Sequence, residues 1–93
     1  MKKIQTKSGF VWNVDEKKVA DWDFVTGLID LEDDNEGKRI KALHFVVVFL
    51  LGEDGAAALA EHVKDKNGIK SVGRIMEEFK EILGLLNEEA KKS

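Results

Sequence analysis

The residues of this 93-residue chain best suited to chemistry are two histidines, three serines and 18 acidic side chains; there is no cysteine. A nucleophilic Cys–His pair and a thiolate metal site are therefore excluded. His44 and His62 lie too far apart in sequence for one helical turn. Neither has a second His or a carboxylate at the i+4 spacing of a helical zinc site. His44 edges the inner face of an apolar helix, where a partly buried, hydrogen-bonded imidazole is expected. Ser8, Ser71 and Ser93 fall in a turn, a helix cap and a tail, and none has the Gly-x-Ser-x-Gly context of a nucleophile elbow. The carboxylates lie on expected solvent faces, where pairing with lysines is their ordinary role.

Two loop motifs resemble ligand sites and fail on detail. Gly68-Ile69-Lys70-Ser71-Val72-Gly73 has the glycine spacing of a phosphate-binding loop. That motif needs Lys and then Ser or Thr after its second glycine, to reach phosphate and magnesium, and here Arg74 and Ile75 stand there. Glu32-Asp33-Asp34-Asn35-Glu36-Gly37 resembles a calcium loop, with oxygens from Glu32, Asp34 and Glu36. The closing bidentate Glu would fall at Leu43, so the ligand set is incomplete. No catalytic residue, metal ligand or cofactor is expected.

The elements that would position these groups follow from periodicity. The chain is short enough for one domain, 1–93, which buries roughly 60–65% of the surface its unfolded form exposes. Residues 1–14 read as a β-hairpin. Lys7-Ser8-Gly9 is the turn, and Phe10, Trp12 and Val14 alternate with Val11 and Asn13 to make one apolar face that Ile4 joins from across. Residues 15–31 read as a helix capped by Asp15, with Asp21 available to cap a second segment. Trp22, Val25 and Ile29 form one stripe there, and Phe24, Leu28 and Leu31 a second. An acidic loop follows.

Residues 38–51 read as an apolar helix with Ile40, Leu43, Val47, Leu50 and Leu51 on one face and Phe45 and Phe49 on the other. Gly52 ends it. Residues 53–65 read as a short helix whose inner face is Ala56, Leu59, Ala60 and Val63. After the Asp65-Lys66-Asn67-Gly68 turn, Ser71 caps a C-terminal amphipathic helix, 71–89, with Val72, Ile75, Met76, Phe79, Ile82, Leu83 and Leu86 inward. The fold class is α+β, mainly α: a short N-terminal hairpin followed by a bundle of about four helices.

Composition limits the partners. Hydrophobic residues are 43% and charged residues 35%, as in an ordinary folded domain. The net charge of −3 and the interleaving of lysines with acids leave no basic face for nucleic acid. The longest apolar run, Phe45 to Leu51, falls short of the ~20 residues that span a bilayer, so no membrane role is expected. With no apolar core behind the charged N-terminus, a soluble intracellular protein is expected. One feature exceeds these needs. The 38–51 helix is apolar nearly all round in its second half. Either it is central and buried on every side, or Phe45, Val48 and Phe49 make a partner-binding surface. In the second case Phe49→Asp leaves a folded monomer.

Taken in order, the landmarks are Ser8-Gly9-Phe10, Val14-Asp15-Glu16, Asp21-Trp22, an acidic linker, Leu50-Leu51-Gly52-Glu53, Asp65-Lys66-Asn67-Gly68, Ser71-Val72 and Glu78-Phe79-Lys80-Glu81-Ile82-Leu83. This order, from about Lys3 to Leu86, resembles the small tail assembly chaperones of long-tailed phages and prophages of Gram-positive bacteria. The resemblance implies a non-enzymatic chaperone that binds the tape measure protein and tail tube subunits in the cytoplasm of the bacterial host. Such a protein would be absent from the mature virion. It also implies a capacity to self-associate, and a longer frameshifted form with the same start. The chain departs from the family in the apolarity of Phe45–Leu51 and in Ala56-Ala57-Ala58. The alternative is a prophage or bacterial protein-interaction or regulatory domain without catalytic activity.

Overall fold

Chain reversal at Gly9 begins the fold. In the computed structural model, which describes residues 1–92 and side chains through Asn87, strands β1 (Lys2–Gln5) and β2 (Val11–Val14) pair antiparallel. Ile4 lies opposite Trp12 and Lys2 opposite Val14. Gly9 takes φ 97°, which closes a tight turn: its N–H donates to Thr6 O at 3.0 Å, and Thr6 N–H donates to Phe10 O at 2.9 Å. Ile4, Phe10 and Val14 are buried, whereas Val11 and Asn13 face solvent. The hairpin thus presents one apolar face to the helices, as a two-stranded sheet must to persist in water.

The helix expected over 15–31 is divided at Asp21, the residue available to cap a second segment, and its first part is a 3-10 turn. This turn, Glu16–Ala20, is capped by the Asp15 carboxylate, which accepts from Lys17 N. Asp21 then adopts an extended conformation (φ −69°, ψ 137°) and caps α1 (Trp22–Asp30), accepting from Asp23 N at 2.9 Å and Phe24 N at 3.2 Å. A carboxylate that satisfies two free N–H groups is a strong helix start, and it breaks the helix before it. Helix α1 buries Phe24 and Gly27.

The next helix starts earlier than 38 because Asn35 caps it, its side chain accepting from Lys38 N at 3.0 Å. Helix α2 runs Glu36–Val63, with one non-helical residue inside it, Gly52 (φ 77°, ψ 168°). The two helices expected over 38–51 and 53–65 are therefore one kinked element with no loop between its halves. Nothing lies within 4 Å of where a Gly52 Cβ would sit, so the left-handed φ alone requires glycine there. Among the described residues the fold accordingly has three α-helices beside the hairpin, against about four expected.

Helix α3 (Val72–Lys92) closes the structure. Ser71 Oγ accepts from Arg74 N at 3.3 Å as its cap. Phe79, Ile82 and Leu86 are fully buried, but Val72, expected inward, is exposed at the first turn. The core joins hairpin residues Ile4, Phe10 and Val14 to Phe24, to Val46, Leu50 and Leu59 of α2, and to Phe79, Ile82 and Leu86 of α3. By length and composition alone α2 could cross a membrane, a length the Phe45–Leu51 run does not suggest, because apolar character continues past Gly52. In the fold, α1, α3, β2 and the 3-10 turn all pack on it.

Candidate functional site

The strongest polar cluster is assembled from residues that sequence reasoning did not connect. Glu78 of α3 and Thr6 beside the hairpin turn are both buried. The hydroxyls of Thr6 and Ser8 each donate to Glu78 Oε1 at 2.8 Å, and Phe10 N–H donates to Thr6 Oγ1 at 3.2 Å. Ser8 Oγ also lies 2.9 Å from His62 Nε2. Since the single Ser8 proton goes to Glu78, proton counting assigns His62 Nε2 as a donor to Ser8. Lys7 N–H completes the attachment by donating to Glu81 Oε2 at 2.7 Å.

This cluster contains a serine, a histidine and a glutamate but lacks the wiring of a hydrolytic triad. An activated serine gives its proton to the imidazole, and the carboxylate holds the other ring nitrogen. Here the serine hydroxyl donates its hydrogen bond to the carboxylate itself. The arrangement fastens the hairpin turn to the end of α2 and the middle of α3. His62 also lies against Phe10, with ring centroids 5.6 Å apart. Among the described residues, no buried side-chain polar atom lacks a partner.

The other sequence candidates separate. His44 is exposed, not partly buried, and borders a groove. Ser71 is occupied as a cap, and Ser93 lies outside the described residues. In the acidic loop, Asp33 Oδ1 accepts from Asn35 N at 2.7 Å, and the Arg39 guanidinium donates to the carbonyls of Asp33 and Asp34. Those contacts make the loop the start of α2. In the Gly68 turn, Asp65 Oδ1 accepts from Asn67 N and Ile69 N, an Asx turn with no anion cradle. Among the described residues, no three His, Asp or Glu side chains come together as a metal site would require.

One concavity among the described residues is almost wholly apolar. A groove of about 460 Å³ lies where residues before and after Gly52 meet the start of α3. Ile40, Val47 and Val48 form one wall, Ala57 and Ala60 the second, and Ile75 part of the third. A smaller depression of about 160 Å³, bordered by Arg39 and Met76, shares Ile40, Leu43 and Val72 with it. The two adjoin at these three side chains, and the larger is an open apolar trough along α2. Its volume is in the range of binding pockets, and its small alanines allow a backbone to approach closely.

The three candidate partner-binding residues have different surroundings. Val48 is half-buried and lines the groove. Phe45 is 42% exposed and leans toward α1, where a Cβ placed on Gly27 would lie 3.1 Å from its ring. Phe49 points inward: its ring is 5.8 Å from that of Phe24, and the Lys18 ammonium sits 5.8 Å over it. The groove's other walls, Ala57, Ala60 and Ile75, carry no distinguishing sequence signal, since small and aliphatic residues at helical spacing also describe a core. Compared with family models, curated proteins and solved structures, the chain has no match.

Proposed function

We propose that this chain is a non-enzymatic tail assembly chaperone of a long-tailed phage or prophage. It holds an apolar helical stretch of the tape measure protein in the trough along α2 and passes it to tail tube subunits in the host cytoplasm. The open apolar groove lined by Ile40, Val48, Ala57 and Ile75 carries this reading. A client helix lays apolar anchors into such a trough and leaves its polar face wet. The ordered resemblance from Ser8-Gly9-Phe10 to the closing helix supplies the identity of the client. The polar cluster around Glu78 is spent on holding the hairpin, which agrees with a role that needs surface and not reactivity.

The test is capture of overlapping tape measure fragments by the full chain, in parallel with Ala57→Glu. Glutamate there places a charge in the trough without touching the core. Binding of at least one fragment that Ala57→Glu abolishes, with unchanged thermal stability, is the expected result. Absence of binding across all fragments sinks the reading.

A further inference from the structure

A second surface, separate from the trough, lies on α1. Trp22, Val25 and Ile29 occupy one face of this nine-residue helix and are 79%, 40% and 67% exposed. Their opposite face is fixed, because Phe24 and Gly27 are buried against α2. Single exposed apolar side chains are common, but an aligned set headed by a tryptophan is the composition of an interaction hot spot.

Charge identifies what this strip would take. From Val19 to Gly37 the chain has seven acidic residues and no lysine or arginine; elsewhere it has eleven acidic against fifteen basic residues. Asp21, Asp23, Asp30 and Glu32 all stand exposed around the strip. The nearby Lys18 is turned away, donating to Phe49 O at 3.1 Å. A second copy docking through the same face would bring two acidic segments together, and an anionic bilayer would be repelled likewise. A helix with apolar anchors flanked by Lys and Arg satisfies both the strip and its rim.

We infer that the Trp22–Val25–Ile29 face of α1 docks a basic amphipathic helix of a partner protein, at a site independent of the α2 trough. The test uses two synthetic helical peptides with one leucine face, flanked in the first by Lys and Arg and in the second by Glu. Binding to the full chain is read by calorimetry and by backbone amide shifts. The basic peptide binds, with shifts centred on α1; added salt weakens it, and the acidic peptide fails to bind. Trp22→Ala and Ile29→Ser each weaken binding about tenfold or more while circular dichroism is unchanged, and Ala57→Glu leaves it intact. Equal binding of both peptides, shifts centred on the trough, or indifference to both substitutions overturns the inference. So does self-association, or binding to phosphatidylglycerol vesicles, that Ile29→Ser abolishes. Because the charge comparison uses the unmodified chain, a variant that misfolds does not decide the outcome. Loss of tape measure binding in Ala57→Glu with retained peptide binding separates this site from the trough.

Discussion

The Trp12 indole N–H donates to the carbonyl of Leu51 at 3.1 Å. That carbonyl is the last before the Gly52 kink, where a helix end leaves acceptors without intrahelical donors. Lys18 serves a second one, Phe49 O, at 3.1 Å. The N-terminal hairpin and 3-10 turn thus cap the first half of α2 from outside, and the kink that opens the trough depends on them.

Removing that donor measures the dependence. Trp12→Phe keeps most of the ring but leaves Leu51 O short of a partner, and it lowers stability by about 1 kcal/mol. Gly55→Ala acts on the same contact by crowding, because a Cβ there would lie 2.6 Å from Trp12 Nε1 and 2.7 Å from Leu51 Cβ. It costs about 1–3 kcal/mol despite the better helix propensity of alanine. Urea melts of both variants check this; a Gly55→Ala protein more stable than the parent contradicts it.

Two glycines respond to alanine with opposite sign. Gly52 holds φ 77° and ψ 168°, a region essentially restricted to glycine, and Gly52→Ala destabilises by about 1–3 kcal/mol through backbone strain. Gly84 sits exposed within α3 with nothing within 4 Å of its would-be Cβ, and Gly84→Ala stabilises by about 0.5–1 kcal/mol. Thermal melts of the pair provide the comparison.

Phe45 and Phe49 differ in what a carboxylate does to them. Phe49→Asp sets a charge beside Phe24 and loses the ring under Lys18, destabilising by roughly 2–4 kcal/mol. Phe45→Asp, at a position open to water, changes stability by about 1 kcal/mol or less. Denaturant midpoints decide; a fully stable Phe49→Asp returns that residue to the surface.

The hairpin attachment behaves as one unit. Thr6→Val strips a hydroxyl that donates to Glu78 and accepts from Phe10 N, and it costs about 1–3 kcal/mol. Combined with Glu78→Gln the losses are non-additive by about 0.5 kcal/mol or more, as contacting members of a network are. A double-mutant cycle reads the coupling, and strict additivity refutes it.

Glu61 supplies a pH handle. Its hydrogen bond to Lys64 at 2.7 Å, the charge of Lys64 and then that of Lys70 hold its carboxyl below the ordinary glutamate value. A pKa lowered by folding gives a stabilisation that is present above the unfolded-state pKa. It fades as pH falls through the folded one. The group is exposed, so salt screens the effect. Side-chain NMR titration should show Lys64→Gln raising the Glu61 midpoint; an unmoved midpoint removes Lys64 as the cause.

Local chemistry was legible in the sequence, and distant chemistry was not. The Gly9 turn, the Asp15, Asp21 and Ser71 caps and the break at Gly52 all follow from a residue and its near neighbours. The continuation of α2 past Gly52 does not, since a glycine that ends one helix and a glycine that bends a longer one look alike until the halves find their packing. Both stripes of α1 were visible, but which one turns inward depends on Gly27 meeting Phe45 and Val46 of α2. The Thr6–Ser8–His62–Glu78 cluster had no sequence signal at all, because its members share no spacing.

The separation within that cluster also sets an order of events during synthesis. Thr6 and Ser8 meet Glu78 across 72 and 70 residues. The hairpin leaves the ribosome early with Ile4, Phe10 and Val14 bare, and it can be clasped only after the middle of α3 has followed. How long that sheet face stays bare in the interval governs how much newly made chain escapes aggregation.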